Sequence, residues 1–286
     1  SGESLWGSVN GGVSYTNISS SVTGTAISWA GATLSGTSSI KFEVRDAAGN
    51  VGTAATQNYE LDTTAPTQTI SGIDISADTG SSATDFLTST ASQTITGTLS
   101  ANLGTGESLW GSIDGGVNYS DVSSSVTGTA ISWPSATLSG SSSIKFQVRD
   151  TAGNAGTTAT QAYVLDTTAP TLTLARSAAT SGSATITFTV TAAGGDSINC
   201  STLSTTSGDD FTYTGISAIT GIAQTSASVC TITATSTATL GGAAVTSTLT
   251  SAASFSAADT AGNAQTTIGG SPASITVTVT DSTAPT

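Results

Sequence analysis

Histidine and methionine are absent from this chain of 286 residues, cysteine occurs twice, and lysine and arginine together number 5. Each shortage removes a class of function. Without histidine, a triad-type nucleophile lacks its usual base and a zinc site loses its commonest neutral ligand. Carboxylate pairs remain, but nothing in the sequence gathers a pocket around one, so no enzyme is expected. Few bases against 18 acids, for a net charge of −13, leave no basic stripe to neutralise phosphates, and nucleic acid is not an expected partner. No apolar run is long enough to cross a bilayer, so no membrane insertion is expected in this segment. No signal peptide or lipidation motif is found either. Residue 1 falls inside a repeat, and membrane attachment is expected to lie elsewhere.

Charged residues make up only 8% of the chain, so Ser, Thr, Asn and Gly must solubilise its surface. The hydrophobic 36% is largely Ala, Val, Ile and Leu in short alternating runs. That favours folded β modules with thin cores over the alternative, a disordered Ser/Thr-rich stalk, which would lack regular patterning. What the chain has in abundance is repetition. LDTTAPT at 61–67 returns unchanged at 165–171, and TDSTAPT fills 280–286. Spacings of roughly a hundred residues are domain-sized, which makes the phrase a joint between modules. With Gly2 set over Gly106, the alignment runs without a gap to Thr67 over Thr171, and roughly three-quarters of the pairs are identical, as in recent tandem duplication.

Within a module the period is two. In Ile40-Lys41-Phe42-Glu43-Val44-Arg45 the apolar residues face one way and the charged ones the other, as in a half-buried strand. Turn signals punctuate such runs at Asn10-Gly11-Gly12, Asp114-Gly115-Gly116, Ala48-Gly49-Asn50 and Ala152-Gly153-Asn154. About seven short strands per hundred residues, with no helical period, predict an all-β fold of tandem immunoglobulin-like β-sandwiches in a linear array. In the middle repeat, strands A to G are expected near 68–75, 93–100, 107–113, 122–127, 130–138, 143–149 and 158–165. Trp110 then lies on strand C and Trp133 on strand E, both read as core.

The expected domains are a partial repeat over 1–63 with strands C to G only, a complete repeat over 64–167, a divergent repeat over 168–282, and the start of a further linker at 283–286. Ser1 aligns with Thr105, so the chain reads as a window on a longer array, and a neighbouring chain completing the first repeat is left open. Only the third repeat has cysteines, Cys200 and Cys230. In an otherwise Cys-free chain they favour a disulfide contributing about 3 kcal/mol. The alternative is two separate buried thiols.

LDTTAPT, the DxAGN turns, the glycine-rich hairpins and SADTGSSATDFLT together resemble the bacterial Ig-like repeats of giant cell-surface adhesins of the biofilm-associated and RTX type, secreted by type I systems. The third repeat resembles a second Ig-like type that accompanies them. The resemblance implies an extracellular, cell-surface extender that carries an adhesive region away from the cell, with calcium at its joints.

Strand order supplies geometry independently of that resemblance. In a seven-strand sandwich the FG loop and the end of strand G lie at opposite poles, so Asp150 and Asn154 of one module face Asp62 at the end of the one before. The second joint repeats this with Asp166, Asp259 and Asn263. Asp78 and Asp85 of the AB loop and Asp114 of the CD turn can add carboxylates there, and Asp46 is the counterpart of Asp150 in the first repeat. Converging carboxylates with few bases nearby suit calcium, which takes six to eight oxygens in tolerant geometry. The alternative is that these Asp and Asn residues only shape turns by bonding nearby backbone. No EF-hand or GGxGxD repeat is present. Pro66, Pro170 and Pro285 stiffen the joints.

The expected function is therefore a non-catalytic extender segment stiffened by calcium, whose partners are neighbouring repeats and other copies of itself. The alternatives are a carbohydrate- or protein-binding module, for which Phe211 and Tyr213 are the candidate aromatics, and lateral assembly into a filament or surface layer.

Overall fold

A computed structural model describes residues 2–179 and 183–280, and within them the fold is all-β, built of immunoglobulin-like sandwiches. The linker expected at 283–286, with Pro285, lies outside the described residues. The chain divides into two compact units. One comprises Ser1–Gln68, Leu103–Ser108 and Val148–Thr157, the other Thr69–Asn102, Leu109–Gln147 and Thr158–Thr286.

In the first unit a four-stranded sheet runs in the order Thr16–Asn17, Ser4–Ser8, Thr37–Arg45, Ala55–Glu60. Leu5 pairs with Val44 and Trp6 with Glu43, so alternation sorts Trp6, Glu43 and Arg45 onto one face. There the Arg45 guanidinium bonds Glu43 and lies 4.3 Å over the Trp6 ring, which lets a carboxylate be buried without losing its partner. The opposite face carries Ile40, Phe42 and Val44. Val44 is 44% exposed, whereas its counterpart Val148 is fully buried.

In the second unit the middle repeat supplies the strands Val126–Thr127, Ala130–Thr137, Ser92–Leu99 and Ile70–Ile75 as one sheet. A five-stranded sheet contains Ser120–Asp121, Ser108–Ser112, Ser141–Arg149, Ala159–Leu165 and Leu87–Thr88. Ile95, Leu99, Leu109, Ile131, Ile144 and Phe146 are buried in the core. The two-residue strand Leu87–Thr88 pairs parallel to the end of Ala159–Leu165 and carries no alternation that a sequence pattern could reveal. Trp133 packs edge-on against Phe146, with ring centroids 5.9 Å apart. Trp110 is not core. It alternates with the buried Leu109 and Gly111 and so belongs to the outer face, half-buried like Trp6.

The third repeat pairs a sheet of Leu172–Ala179, Thr185–Ala192, Val229–Ser236 and Ile216–Ser226 with one of Phe211–Thr214, Val245–Ser251 and Ala273–Val277. Its strands Thr185–Ala192 and Val229–Ser236 alternate buried and partly exposed residues along their length. Their inward side chains Ile186, Phe188, Val190, Cys230, Ile232 and Ala234 join one hydrophobic cluster. Cys200 and Cys230 are joined by a disulfide, with Cα atoms 5.6 Å apart.

Candidate functional site

Each DxAGN turn is wound on its first residue. Asn154 donates its backbone N–H to Asp150 Oδ1 (2.9 Å) and its amide Nδ2 to Asp150 Oδ2 (2.8 Å). Asn263 does the same to Asp259 (2.9 and 2.9 Å), and Asn50 to Asp46 (2.9 and 2.8 Å). Holding the amide from one side leaves its other hydrogen aimed outward. At 150–154 that hydrogen reaches the main-chain carbonyl of Asp62 (3.1 Å), and at 259–263 the carbonyl of Asp166 (2.9 Å).

The linker acids thus enter the joints through their carbonyls. Their carboxylates turn back onto the linker, where Asp62 Oδ1 accepts from Thr64 N (2.9 Å) and Asp166 Oδ1 from Thr168 N (3.0 Å), the side chain stabilising a local turn. The proline carbonyls are engaged as well. Gln265 Nε2 donates to Pro170 O (3.0 Å). At the first joint a Cβ on Gly156 would lie 2.6 Å from Pro66 O, so close approach there requires glycine.

The remaining predicted residues fall into separate places. Asp114 binds within its own hairpin, to Ser112 Oγ (2.7 Å) and to Asn118 N and Nδ2. These bonds hold its carboxyl far below the usual range, the Asn118 backbone N–H foremost. Asp85 Oδ1 accepts from Leu87 N (3.1 Å). Asp78 Oδ2 accepts from Phe86 N (3.0 Å), while its Oδ1 is buried with no hydrogen-bond partner among the described residues.

The donors available for calcium are all oxygens, as a hard cation requires. At the first joint Asp62, Glu107 and Asp150 line one cleft of about 320 Å³, together with Pro66, Thr105 and Thr151. Glu107 Oε2 is engaged there by Gly104 N (2.6 Å) and by the Gln68 amide. Among the described residues no three acidic, histidine or cysteine side chains stand close enough together to hold one ion. The donor type therefore fits calcium, although its carboxylates are not gathered three together among the described residues.

The second joint has a contact that sequence reasoning did not reach. Thr79 Oγ1 donates to Ala261 O (2.5 Å), and Ser81 N to Thr260 O (3.3 Å). The partners are main-chain carbonyls, which no residue pattern marks. The one available signal was the glycine between Thr79 and Ser81.

The Asp150 carboxyl is pulled below its ordinary value of 3.8, chiefly by the Asn154 amide. A depressed carboxyl stabilises the fold above its unfolded value and loses that contribution as pH falls through its folded value. Hydrogen exchange of the Asn154 N–H, corrected for its intrinsic pH dependence, is therefore expected to show constant protection at neutral pH and loss of protection only on acidification below 3.8. A profile with no acid limb would count against the clamp.

Residues 130–215 match the family model of the bacterial Ig-like domain, group 3, so this stretch, less than a third of the chain, carries bacterial Ig-like sequence. No curated protein matches the chain. Among solved structures, a tetra-tandem repeat from the extending region of a large adhesion protein aligns at 17% identity, covering 97% of this chain and 66% of that one, with a TM-score of 0.27. The human desmocollin-1 ectodomain aligns at 10% identity, covering 87% of this chain and 45% of that one, with a TM-score of 0.21. The chain thus spans just under two thirds of the first structure's length and under half of the second's.

Proposed function

We propose that this chain is an extender segment of a large, repetitive bacterial cell-surface adhesin, and that its work is mechanical: keeping successive repeats fixed to one another. The observation that carries this reading is the clamp repeated at both joints, Asn154 on the Asp62 carbonyl and Asn263 on the Asp166 carbonyl. Fixed joints serve an extender directly, because each free hinge would shorten its reach. The disulfide supports an extracellular location. Ligand binding through Phe211 and Tyr213 loses its residues, since Phe211 is buried against Phe255 and Tyr213 packs on the same core.

Calcium is proposed as a second brace at the first joint, where Asp62 and Asp150 line one cleft and main-chain carbonyls would complete its oxygens. An ion there would neutralise the cleft and tie the linker to the turn. Clamp and ion are separable by Asn154→Asp. As a clamp residue, the new carboxylate faces two acceptors, Asp150 and the Asp62 carbonyl, and the joint loses about 1–3 kcal/mol. As a calcium ligand, it supplies another oxygen, and the loss disappears when calcium is added. Thermal unfolding with calcium and with chelator checks this.

The extender reading itself is tested by backbone relaxation at the second joint. Amides of Ser92–Leu99 and Thr185–Ala192 are expected to share one rotational correlation time. Independent values, with and without calcium, would overturn it. Loss of the shared value on chelation alone would assign the stiffness to the ion.

A further inference from the structure

The pentapeptide Asp-Thr-Ala-Gly-Asn occurs at 150–154 and again, letter for letter, at 259–263. Both copies have the same internal bonds and the same clamp onto a linker carbonyl. What covers them differs. Over the second copy sits the loop around Thr79 and Gly80, and Ala261 is 1% exposed. In the first copy Thr151, Ala152 and Gly153 are all exposed.

The fit at the second copy is close. Gly80 has φ +96°, and a Cβ there would lie 2.0 Å from Thr260 O. A Cβ on Gly262 would in turn lie 3.0 Å from Gly80 N. Two glycines meet, and only chains lacking side chains at both positions can approach so far. The loop is fixed by its own repeat before it reaches the turn. Asp78 Oδ2 accepts from Phe86 N, Ser89 N donates to Thr79 Oγ1 (2.8 Å), and Phe86 itself is held at φ +60°. Both surfaces are thus preformed, which keeps the ordering cost of docking low.

We propose that the exposed Thr151–Gly153 turn is a docking surface whose partner is the Asp-Thr-Gly loop of a complete repeat standing before it. The contacts at the second copy go to main-chain carbonyls, so the partner reads the shape of the turn and its glycine rather than the module that carries it. Repeats of divergent sequence can therefore follow one another wherever the loop and the DxAGN turn are kept. The Asp46–Asn50 turn, DAAGN, meets the same requirement because its change from Thr to Ala leaves the carbonyls and the glycine in place.

The test uses the full chain with a second copy of residues 64–104 placed ahead of Ser1, which completes the first repeat in the register of the gap-free alignment. Ala152→Cys provides a single free thiol, and its alkylation rate is compared with that in the unextended chain. Val44→Cys, made separately, reports whether the added segment has folded over the first repeat, as Val148 is covered in the middle one. The expected result is slowing of Ala152→Cys labelling by at least about ten-fold, reversed when the copied Gly80 is changed to alanine. An unslowed thiol beside a protected Val44→Cys overturns the proposal, as does slowing that survives the glycine change. The proposal rests on the extender reading only for the source of the loop. Joints that stay stiff while Ala152 remains open would keep that reading and remove this one.

Discussion

Gly80→Ala is expected to release the third repeat from the middle one while leaving each folded. The new methyl group would lie 2.0 Å from the Thr260 carbonyl oxygen and 2.9 Å from the Ala261 carbonyl carbon, both main-chain atoms with no rotamer to yield. A left-handed φ adds its own penalty for alanine. The two together should cost on the order of 2–3 kcal/mol. Gly72→Ala is the control, because Gly72 also has a left-handed φ, +61°, but open space where its Cβ would go. It incurs only the conformational part, about 1–2 kcal/mol. The readout is hydrogen exchange of the Ser81 amide, which donates to Thr260 O. Faster exchange in Gly80→Ala than in Gly72→Ala supports the lock. Equal exchange would mean that the loop merely lies near the turn.

Replacing both cysteines, Cys200→Ala with Cys230→Ala, is expected to cost the third repeat about 3 kcal/mol. The bond ties two positions 30 residues apart, joining the short turn at Cys200–Thr202 to the central strand Val229–Ser236. Cys230 is fully buried in the cluster with Phe188 and Ile232, so loss of the bond also loosens packing there. All four tryptophans, Trp6, Trp29, Trp110 and Trp133, precede the third repeat. Tryptophan fluorescence therefore follows the first two repeats, and methyl NMR signals of Ile186 and Ile232 follow the third. The denaturant midpoint of the methyl signals should fall while the tryptophan midpoint holds. If both midpoints fall together, the repeats unfold as one cooperative block, and the joints are stronger than clamps and loop contacts alone require.

Much of the architecture was legible because it is written in local periods. Alternation in Ile40–Arg45 and glycine-marked turns announced strands of an all-β sandwich, and the middle repeat's strands lie within a residue or two of the expected positions for A, B and E. The repeat itself is a property of letters, as is the recurrence of DxAGN opposite LDTTAP. Strand order alone brought Asp62, Asp150 and Asn154 to one pole, and Asp166, Asp259 and Asn263 to the next.

Only the tertiary structure decided how those residues meet. Residue type suggests that an aspartate acts through its carboxylate, yet Asp62 and Asp166 give their carbonyls to the asparagine amides and turn their carboxylates onto Thr64 and Thr168. Every residue has a carbonyl, so no pattern marks the one that is used. The lock of Thr79 and Gly80 on Ala261 and Thr260 joins residues 182 positions apart at its hydroxyl bond, a separation no local period can encode. Phe211 is a candidate binding aromatic by residue type, and its burial against Phe255 depends on which sheet its strand joins. The sequence by itself determined the fold class, the repeat and the poles, because these follow from side-chain alternation and strand order. The clamps and the lock rest on main-chain carbonyls and a left-handed glycine, and their positions exist only once the sandwiches have folded.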